Sequence, residues 1–533
     1  MDLAELLRGM DVSGDVPAPG AVRVCDLTED SRTVVPGSLF IARGGLKADG
    51  NRFVRAAVQA GAVAVLTDDP VLAREHALPG VPVLHAPDIA LATALLGERF
   101  YGNPSSRVAL MGVTGTNGKT TTTYLIWQLL NHAGVRCGLI GTVVVDDGVE
   151  VGPAAMTTPP ALELSRSIGV MAEAGVRAAA LEVSSHALDQ KRADGLAIRV
   201  GVFTNLTGDH LDYHKTMEAY AGAKARLFEL LPPTGLAVVN AADPASARML
   251  RDCKSRVIAC ALLEPGTHAK ASATCEILEM GLWGMRLRLS GPWGHIEPRV
   301  GLIGRYNAMN LLEAACAAHE MGVSAHDLLD ACNELKAPPG RLESVSAPGD
   351  EISVFVDYAH SDDSLRNVLA EVGGQMPGRR HAGGRVWAAA GSAEGGGPAG
   401  RLWAVFGCGG DRDTSKRPRM GAAASELADV VIVTSDNPRT ERPGDIIDQI
   451  LAGITPANRA KVSVQADRAR AIRHAIENAQ PGDVVVVAGK GHETEQILPD
   501  GNGGTIRTHF DDREVARAAL RERGGMARAG ATT

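Results

Sequence analysis

The chain has 533 residues, 45% hydrophobic and 4% aromatic, with a formal net charge of −8. At about 100–200 residues per domain this length predicts three or four domains, and the negative balance argues against non-specific nucleic-acid binding while leaving room for local basic sites that hold small anions. No run approaches the roughly 18 apolar residues of a membrane-spanning helix, and the opening Met1-Asp-Leu-Ala-Glu-Leu-Leu-Arg8 lacks the basic-then-apolar order of a signal peptide, so a soluble cytoplasmic enzyme without membrane insertion is expected.

Residues 1–104 alternate strand and helix patterns. Asp30-Ser31-Arg32 leads through the turn signal Pro36-Gly37 to the apolar Leu39-Phe40-Ile41, then past Gly45 and Asp49-Gly50 to a helix ending at Gly61-Ala-Val-Ala-Val-Leu66. Read alone, this is a small α/β domain. Asn103-Pro104 marks the boundary to the next one.

The second domain, about 105–340, opens on the chain's most informative stretch. An apolar run ending near Val113 predicts a buried strand, Gly115-Thr116-Asn117-Gly118 a tight turn, and Leu125, Ile126, Leu129 and Leu130 an amphipathic helix from Thr120 to Gly134. Strand, glycine turn, Lys-Thr and helix make a phosphate-binding loop. Backbone N–H groups wrap the phosphates, Lys119 neutralises their charge, and the Thr120 hydroxyl can ligate Mg²⁺. The general pattern wants glycine five places before Gly118, and Val113 stands there.

Further on, Ala178-Ala-Ala-Leu-Glu-Val183 is a short apolar strand with one carboxylate, Glu182, at its carboxyl end. There it is either salt-bridged or bound to metal, because a lone buried carboxylate is costly. Ser184 to Arg192 follows as a polar and cationic loop. A second strand, Val200 to Asn205, opens into Asp209, His210, Asp212 and His214, which read equally as a metal site or a solvated turn. Lys224, on a helix from Thr216 to Leu230, is taken singly a solvated side chain. Residues 235–300 hold strands and a Gly/Trp stretch without assignable chemistry. Gly304-Arg-Tyr-Asn-Ala-Met-Asn310 leads into an Ala-rich helix, where Asn307 and Asn310 sit near a nucleotide base or cap the helix.

The last domain, about 341–533, has three apolar strands that each deliver glycine and charge at their ends. They are Leu402–Phe406 into Gly407-Cys-Gly-Gly-Asp-Arg-Asp413, Val431-Ile-Val into Asp436-Asn437-Pro438-Arg439, and Val484–Ala488 into Gly489-Lys-Gly-His-Glu493. These loops are expected to converge on one edge of a Rossmann-like sheet. Arg439 either grips a ligand carboxylate or pairs with Glu441 at the surface. Residues 373–400 read as a flexible Gly- and Arg-rich insertion, and the tail from about 524 as disordered. The eight cysteines, scattered without a C-x-x-C pair, read as reduced core residues.

In combination these motifs resemble the Mur ligase family, over nearly the whole chain. The carriers are G-T-N-G-K-T-T at 115–121, T-N-L-x-x-D-H-L-D-x-H at 204–214 with M-E-x-Y-x-x-A-K at 217–224, G-x-Y-N-x-x-N at 304–310 and P-G-R-x-E at 339–343. D-S-R-x-V-x-P-G-x-L-F at 30–40 and D-N-P-R at 436–439 resemble the members that add diaminopimelate as the third residue of the peptidoglycan stem peptide. A folylpolyglutamate synthetase would not need the D-S-R domain, a lysine-adding member would lack D-N-P-R, and a regulatory nucleotide-binding protein would not need the intact site.

The resemblance implies a three-domain α/β architecture: a UDP-sugar-binding domain at 1–104, a central P-loop ATP-binding domain at 105–340 and a C-terminal Rossmann-like amino-acid-binding domain at 341–533, with a hinge near 340. It implies an ATP- and Mg²⁺-dependent ligase that joins meso-diaminopimelate to UDP-N-acetylmuramoyl-L-alanyl-D-glutamate through an acyl phosphate, working as a monomer. By the same resemblance, Gly115–Thr121 and Asn307 bind ATP, and Lys119, Glu182, His210 and Lys224 are catalytic, with Lys224 carbamylated. Mg²⁺ falls to Thr120, Glu182, His210 and that carbamate. Ser31, Leu46, Lys47, Ala48, Thr157, Thr158, Ser184, Gln190 and Arg192 hold the UDP-muramoyl-dipeptide. Arg412, Asp436, Asn437, Pro438, Arg439, Gly489 and Glu493 hold diaminopimelate. Three departures are Gly208 where relatives carry a polar residue, Tyr306 for Phe, and Ser361-Asp-Asp for Thr-Pro-Asp.

Overall fold

The structure is a computed structural model that describes residues 1–45, 49–75, 80–264, 271–376 and 400–530. It divides into two compact units, the first made of Met1–Ala261 with Ala271–Ala273 and Glu313–Ser324, the second of the remainder.

The first unit holds two sheets. Strands β1 (Asp26–Thr28), β2 (Ser38–Ala42), β3 (Ala64–Thr67) and β4 (Val83–His85) form a parallel sheet in that order. Its middle strands are buried throughout, as parallel strands covered on both faces require, which is why Leu39-Phe40-Ile41 reads as an unbroken apolar run. The turn before β2 needs its glycine: Gly37 has φ +98°, and a Cβ there would lie 2.4 Å from the Cys25 sulfur.

The larger sheet contains β5 (Ala109–Thr114), β6 (Cys137–Ile140), β7 (Val144–Asp146), β8 (Val151–Pro153), β9 (Ala178–Glu182), β10 (Ile198–Phe203), β11 (Leu236–Asn240) and β12 (Arg256–Leu263). Their order is β12-β11-β10-β5-β9-β6-β7-β8, parallel from β12 to β6 and antiparallel through β7 and β8. β5 lies between β9 and β10, so the chain leaves it in one direction and returns on its other side. At such a switch point the connections diverge and open a crevice beyond the carboxyl ends of the strands. Helix Lys119–His132 packs Leu125, Ile126, Leu129 and Leu130 inward, all buried, as their spacing predicts.

In the second unit, β13 (Ala273–Gly281), β14 (Gly284–Gly291), β15 (Gly294–Ile296) and β16 (Arg299–Val300) form an antiparallel set, with Leu282-Trp283 at one hairpin. This accounts for the Gly/Trp stretch as architecture. The last sheet runs β17-β18-β22-β19-β20-β21, with β17 (Glu343–Ser344), β18 (Ser353–Asp357), β19 (Leu402–Phe406), β20 (Val430–Val433), β21 (Val462–Val464) and β22 (Val484–Ala488). All neighbours are parallel except β17, and a hairpin of β23 (Glu495–Pro499) and β24 (Thr505–His509) follows.

Three expectations change. Residues 524–530 are helical, because helix Asp512–Gly530 runs through them, and 531–533 lie outside the described residues. Ala516 and Ala519 bury the helix against the sheet core, and Arg523 donates to the carbonyls of Ile476 and Ala479, so the helix is anchored just before Gly524-Gly525 and continues through them. Of the 373–400 stretch, Gly373 and Gly374 complete helix Asp362–Gly374, whose Ser361 and Ser364 form a capping box, while 377–399 lie outside the described residues. The cysteines are all free, but Cys25 is exposed and Cys253 half-buried. Among the described residues no helix is long and apolar enough to cross a membrane.

Candidate active site

The loop after β5 is shaped by two glycines, Gly115 at φ +152° and Gly118 at φ +86°. A Cβ on Gly115 would lie 1.9 Å from the Thr204 hydroxyl oxygen, so only glycine lets the loop pass β10. Thr204 and Asn205, at the end of β10, brace the loop from the side: the Thr204 hydroxyl donates to the Asn117 carbonyl at 2.5 Å, and the Asn117 N–H donates to the Asn205 side chain at 3.0 Å. Lys119 follows at the helix start, with Nζ 2.9 Å from the carbonyls of both Gly115 and Thr116.

Glu182, buried at the end of β9, receives three hydrogen bonds: the Thr120 hydroxyl at 3.1 Å, the Thr142 N–H at 2.7 Å and the Thr142 hydroxyl at 3.0 Å. These partners are neutral, so the salt-bridge alternative for this carboxylate does not hold. The Thr142 and Thr157 hydroxyls are hydrogen-bonded to each other at 3.0 Å. The Thr158 hydroxyl donates to the Glu182 carbonyl at 2.8 Å and contacts the Ser184 hydroxyl at 3.2 Å. Arg192 donates to the Thr158 carbonyl at 2.6 Å and to Gln190 at 2.8 Å. Thr157, Thr158, Ser184, Gln190 and Arg192 are thus one connected polar patch beside Glu182. Ser31 lies half-buried in the turn after β1. Leu46, Lys47 and Ala48 lie outside the described residues.

Lys224 is not a solvated helix lysine. It is 1% exposed, donates to the Gly115 carbonyl at 2.7 Å and lies 4.4 Å from the Tyr220 ring centroid. Burial pushes its pKa well below the usual lysine value; the charge of Lys119 adds to this and that of Asp209 opposes it. His210 sits at φ +54° with its ring edge-on to His186 at 4.9 Å and 6.3 Å from Tyr220. Burial lowers the pKa of both histidines, and His186, crowded by His210 and His214, falls to about 4. His214 is buried and hydrogen-bonded to the Ser185 hydroxyl at 2.9 Å.

Among the described residues no group of three or more His, Cys, Asp and Glu is arranged to hold a metal ion. The Asp209–His214 run is therefore not a metal cluster by itself. Of the four expected metal ligands, Thr120 and Glu182 stand together, while His210 and Lys224 flank Tyr220. The donor set suits Mg²⁺ only in part: Thr120 and Glu182 are hard oxygen donors, whereas Lys224 fits once a carboxylate on its nitrogen replaces the amine.

In the second unit the three loops do converge. Asn437 donates to Glu493 at 2.8 Å and accepts from Lys490 at 3.0 Å. A Cβ on Gly489 would lie 3.0 Å from the Asp436 carboxylate. Arg439, at φ +53° after Pro438, donates to the Gly410 carbonyl at 2.6 Å. A Cβ on Gly409 would meet Arg439 at 3.0 Å and Arg412 at 3.9 Å, so both arginines flank that glycine. Glu441 is taken by Arg417 through two bonds of 2.8 Å, which removes the surface pairing considered for Arg439. Asn307 is buried and donates to the Ile303 carbonyl at 2.7 Å, which closes the first turn of its helix.

Sequence reasoning missed several members of these sites. Thr142 and Tyr220 hold Glu182 and Lys224, and buried Lys490, Arg417 and Arg468 hold the three C-terminal loops. Arg468 grips Asp512 with two bonds of 2.7 Å and reaches the carbonyls of Ser435 and Ala488. Tyr220 stood in a quoted motif and gave a signal. Lys490 also stood in a quoted loop, three residues from its partner Glu493, whereas Arg417 and Arg468 gave no signal, because Glu441 and Asp512 are distant in sequence.

Comparison with known proteins agrees with this layout. The Mur ligase family, catalytic domain, matches residues 26–101, the Mur ligase middle domain 113–318, and the Mur ligase, glutamate ligase domain, 381–491. A UDP-N-acetylmuramoyl-L-alanyl-D-glutamate–2,6-diaminopimelate ligase of Geobacillus thermodenitrificans is 42% identical, covering 93% of this chain and 95% of its own. One of Synechococcus elongatus is also 42% identical, over 98% and 99%. A solved structure bearing the same enzyme name aligns with TM-score 0.68 and 32% identity over 98% of this chain and 99% of that one.

Proposed function

This chain belongs to the Mur ligase family, and we propose that it joins meso-diaminopimelate to the D-Glu γ-carboxylate of UDP-N-acetylmuramoyl-L-alanyl-D-glutamate at the expense of ATP, a step of peptidoglycan precursor synthesis. The observation that carries the reading is the meeting of Lys119, the Thr120–Glu182 pair and buried Lys224 around the loop after β5.

The γ-carboxylate attacks the γ-phosphorus of ATP, and ADP leaves. The amine then attacks the acyl carbon, loses a proton, and the tetrahedral adduct collapses with loss of phosphate. Two anions must meet in the first step, so the problem is electrostatic. The N–H groups of Gly115–Thr121 cradle the phosphates, and Lys119 turns its ammonium from the loop carbonyls to the transferring group. Thr120 and Glu182 would hold one Mg²⁺, and His210 with carbamylated Lys224 a second, and the charge supplied there would neutralise the approaching oxygens. A neutral Lys224 amine is the form that adds CO₂, and its burial favours that form.

The patch of Thr157, Thr158, Ser184, Gln190 and Arg192, with Ser31 and the 46–48 loop, binds the UDP-muramoyl-dipeptide. Arg412 and the Asp436–Arg439 loop, with Gly489 and Glu493, bind diaminopimelate. In this reading 1–104, 105–340 and 341–533 are the three working domains, and the enzyme is a cytoplasmic monomer. Phosphate release that requires both the UDP-muramoyl-dipeptide and diaminopimelate tests the function; release with either alone, or with glutamate and a folate, would overturn it.

A further inference from the structure

The amino-terminal edge of the larger sheet, opposite the phosphate loop, carries a row of arginines. Following the strands across, Arg256 opens β12, Arg199 lies at the start of β10, Arg107 precedes β5, Arg177 precedes β9 and Arg136 precedes β6. The outer ones are engaged. Arg199 and Arg256 close on Glu320, and Arg136 donates to the carbonyls of Ala174 and Gly148. Ala174 ends helix Ala161–Glu173, so Arg136 neutralises a helix C-terminus.

The middle pair differs. Arg107 and Arg177 are exposed, and among the described residues neither guanidinium has an ion pair or a hydrogen bond. Their strands are neighbours in register, Ala109 opposite Ala178, and the Ala109 N–H donates to the Arg177 carbonyl at 3.0 Å. Arg107 and Arg177 sit just before these paired strands and face one groove, and two like charges there repel, a cost that an anion between them removes. Both line a groove of about 830 Å³ that also takes in Arg199, Ser106, Thr234 and Met321. Small-molecule sites span about 300–1,000 Å³.

We infer that this groove is a second anion site, which binds a diphosphate-bearing compound across Arg107 and Arg177. Each planar fork matches one phosphate with two parallel hydrogen bonds, and a phosphate offers a fork more charge than a carboxylate does. The groove is distinct from the phosphate loop, which lies at the other end of β5, about 20 Å away for six residues of strand. Free diphosphate and a nucleoside diphosphate share the recognised group, and only the latter would use the rest of the groove.

The test is calorimetric titration of the full chain with inorganic diphosphate and with GDP, in the Lys119→Ala background that disables the phosphate loop. One saturable site is expected, weakened tenfold or more in Arg107→Ala/Arg177→Ala. Arg107→Lys/Arg177→Lys, which keeps charge but loses the forks, should bind with intermediate affinity. Tighter binding of GDP than of diphosphate identifies a nucleotide as the ligand, and equal binding identifies free diphosphate. Absence of a saturable site, or unchanged binding in both double variants, overturns the proposal. Ligase turnover of the double variants on the Lys119 parent should match that chain, which shows that they fold.

Discussion

Lys119 and Lys224 donate to one acceptor: the Gly115 carbonyl oxygen lies 2.9 Å from Nζ of Lys119 and 2.7 Å from Nζ of Lys224. Two cations so placed would repel, and the buried one yields. Burial first, then the charge of Lys119, hold Lys224 well below the usual lysine pKa. Its neutral amine can take up CO₂, and a carbamate formed there would turn repulsion from Lys119 into attraction.

Lys119→Ala removes the charge that the proposed function assigns to the transferring phosphoryl group. Turnover should fall by about 10²–10³ with the melting temperature little changed, since loss of one such electrostatic stabiliser has this effect. Steady-state phosphate release within a few-fold of the parent would take the loop lysine out of the mechanism.

Lys224→Ala should be nearly inactive, and acetate or formate should restore part of the turnover by supplying the missing carboxylate oxygens. Intact-protein mass spectra under bicarbonate should show one CO₂ added to the parent and none to the variant. A fully active parent without the added mass, beside an active alanine variant, contradicts the assignment.

Gly141 is a test of Glu182 that leaves the carboxylate in place. A Cβ at 141 would lie 2.5 Å from Oε1 of Glu182, and the Thr142 N–H that holds this oxygen is the next residue. Gly141→Ala should therefore displace the carboxylate from Thr120, at about 1–3 kcal/mol of overpacking, and lower kcat tenfold or more. The Mg²⁺ concentration for half-maximal rate should rise with it; an unaltered Mg²⁺ requirement would argue that Glu182 does not serve the metal.

Arg468 and Asp512 are both fully buried and joined by two bonds of 2.7 Å. Asp512→Ala leaves the arginine charged and unpaired in the interior, at about 3–5 kcal/mol, whereas Arg468→Met/Asp512→Leu removes both charges and should recover most of that loss. Urea unfolding followed by the fluorescence of Trp403, in the same core, measures both. Equal destabilisation of the single and double variants would mean that the loss is of packing, not of charge pairing.

Local features were legible in the sequence and long-range ones were not. The loop after β5 is written in consecutive residues, as are the strand that ends in Glu182 and the Asp436–Arg439 turn, because strand, turn and helix signals are local. The burial of Lys224 could not be read, since its neighbours Gly115 and Lys119 come from another strand end. Nor could the claim of Arg417 on Glu441, which decides what Arg439 is free to do. The tail was misread because Gly524-Gly525 outweighed the anchoring of the preceding turns by Ala516, Ala519 and Arg523, contacts that exist only after folding.

Diaminopimelate differs from lysine by a carboxylate at its far end, so selectivity needs a cation that lysine leaves unsatisfied. Arg439 suits this role. Its backbone is fixed at φ +53° behind Pro438, its N–H donates to the Ile497 carbonyl at 3.1 Å, and one guanidinium nitrogen is bonded to Gly410 at 2.6 Å. Because Arg417 occupies Glu441, among the described residues no carboxylate pairs with the rest of the fork. Arg412 lies beside the same Gly409, while Asn437, two residues before Arg439, forms a network with Lys490 and Glu493. A site built to bond a polar group can reject an analogue that lacks it by roughly 10⁴ or more. Arg439→Ala should accordingly raise the KM for diaminopimelate far more than that for ATP, and narrow the kcat/KM preference over lysine by at least a hundredfold, about 2.7 kcal/mol. Arg439→Lys should not restore the preference, because an ammonium lacks the two parallel, coplanar N–H groups of the guanidinium fork. Retention of full selectivity by the alanine variant, or equal use of lysine by the parent, would remove Arg439 from this role.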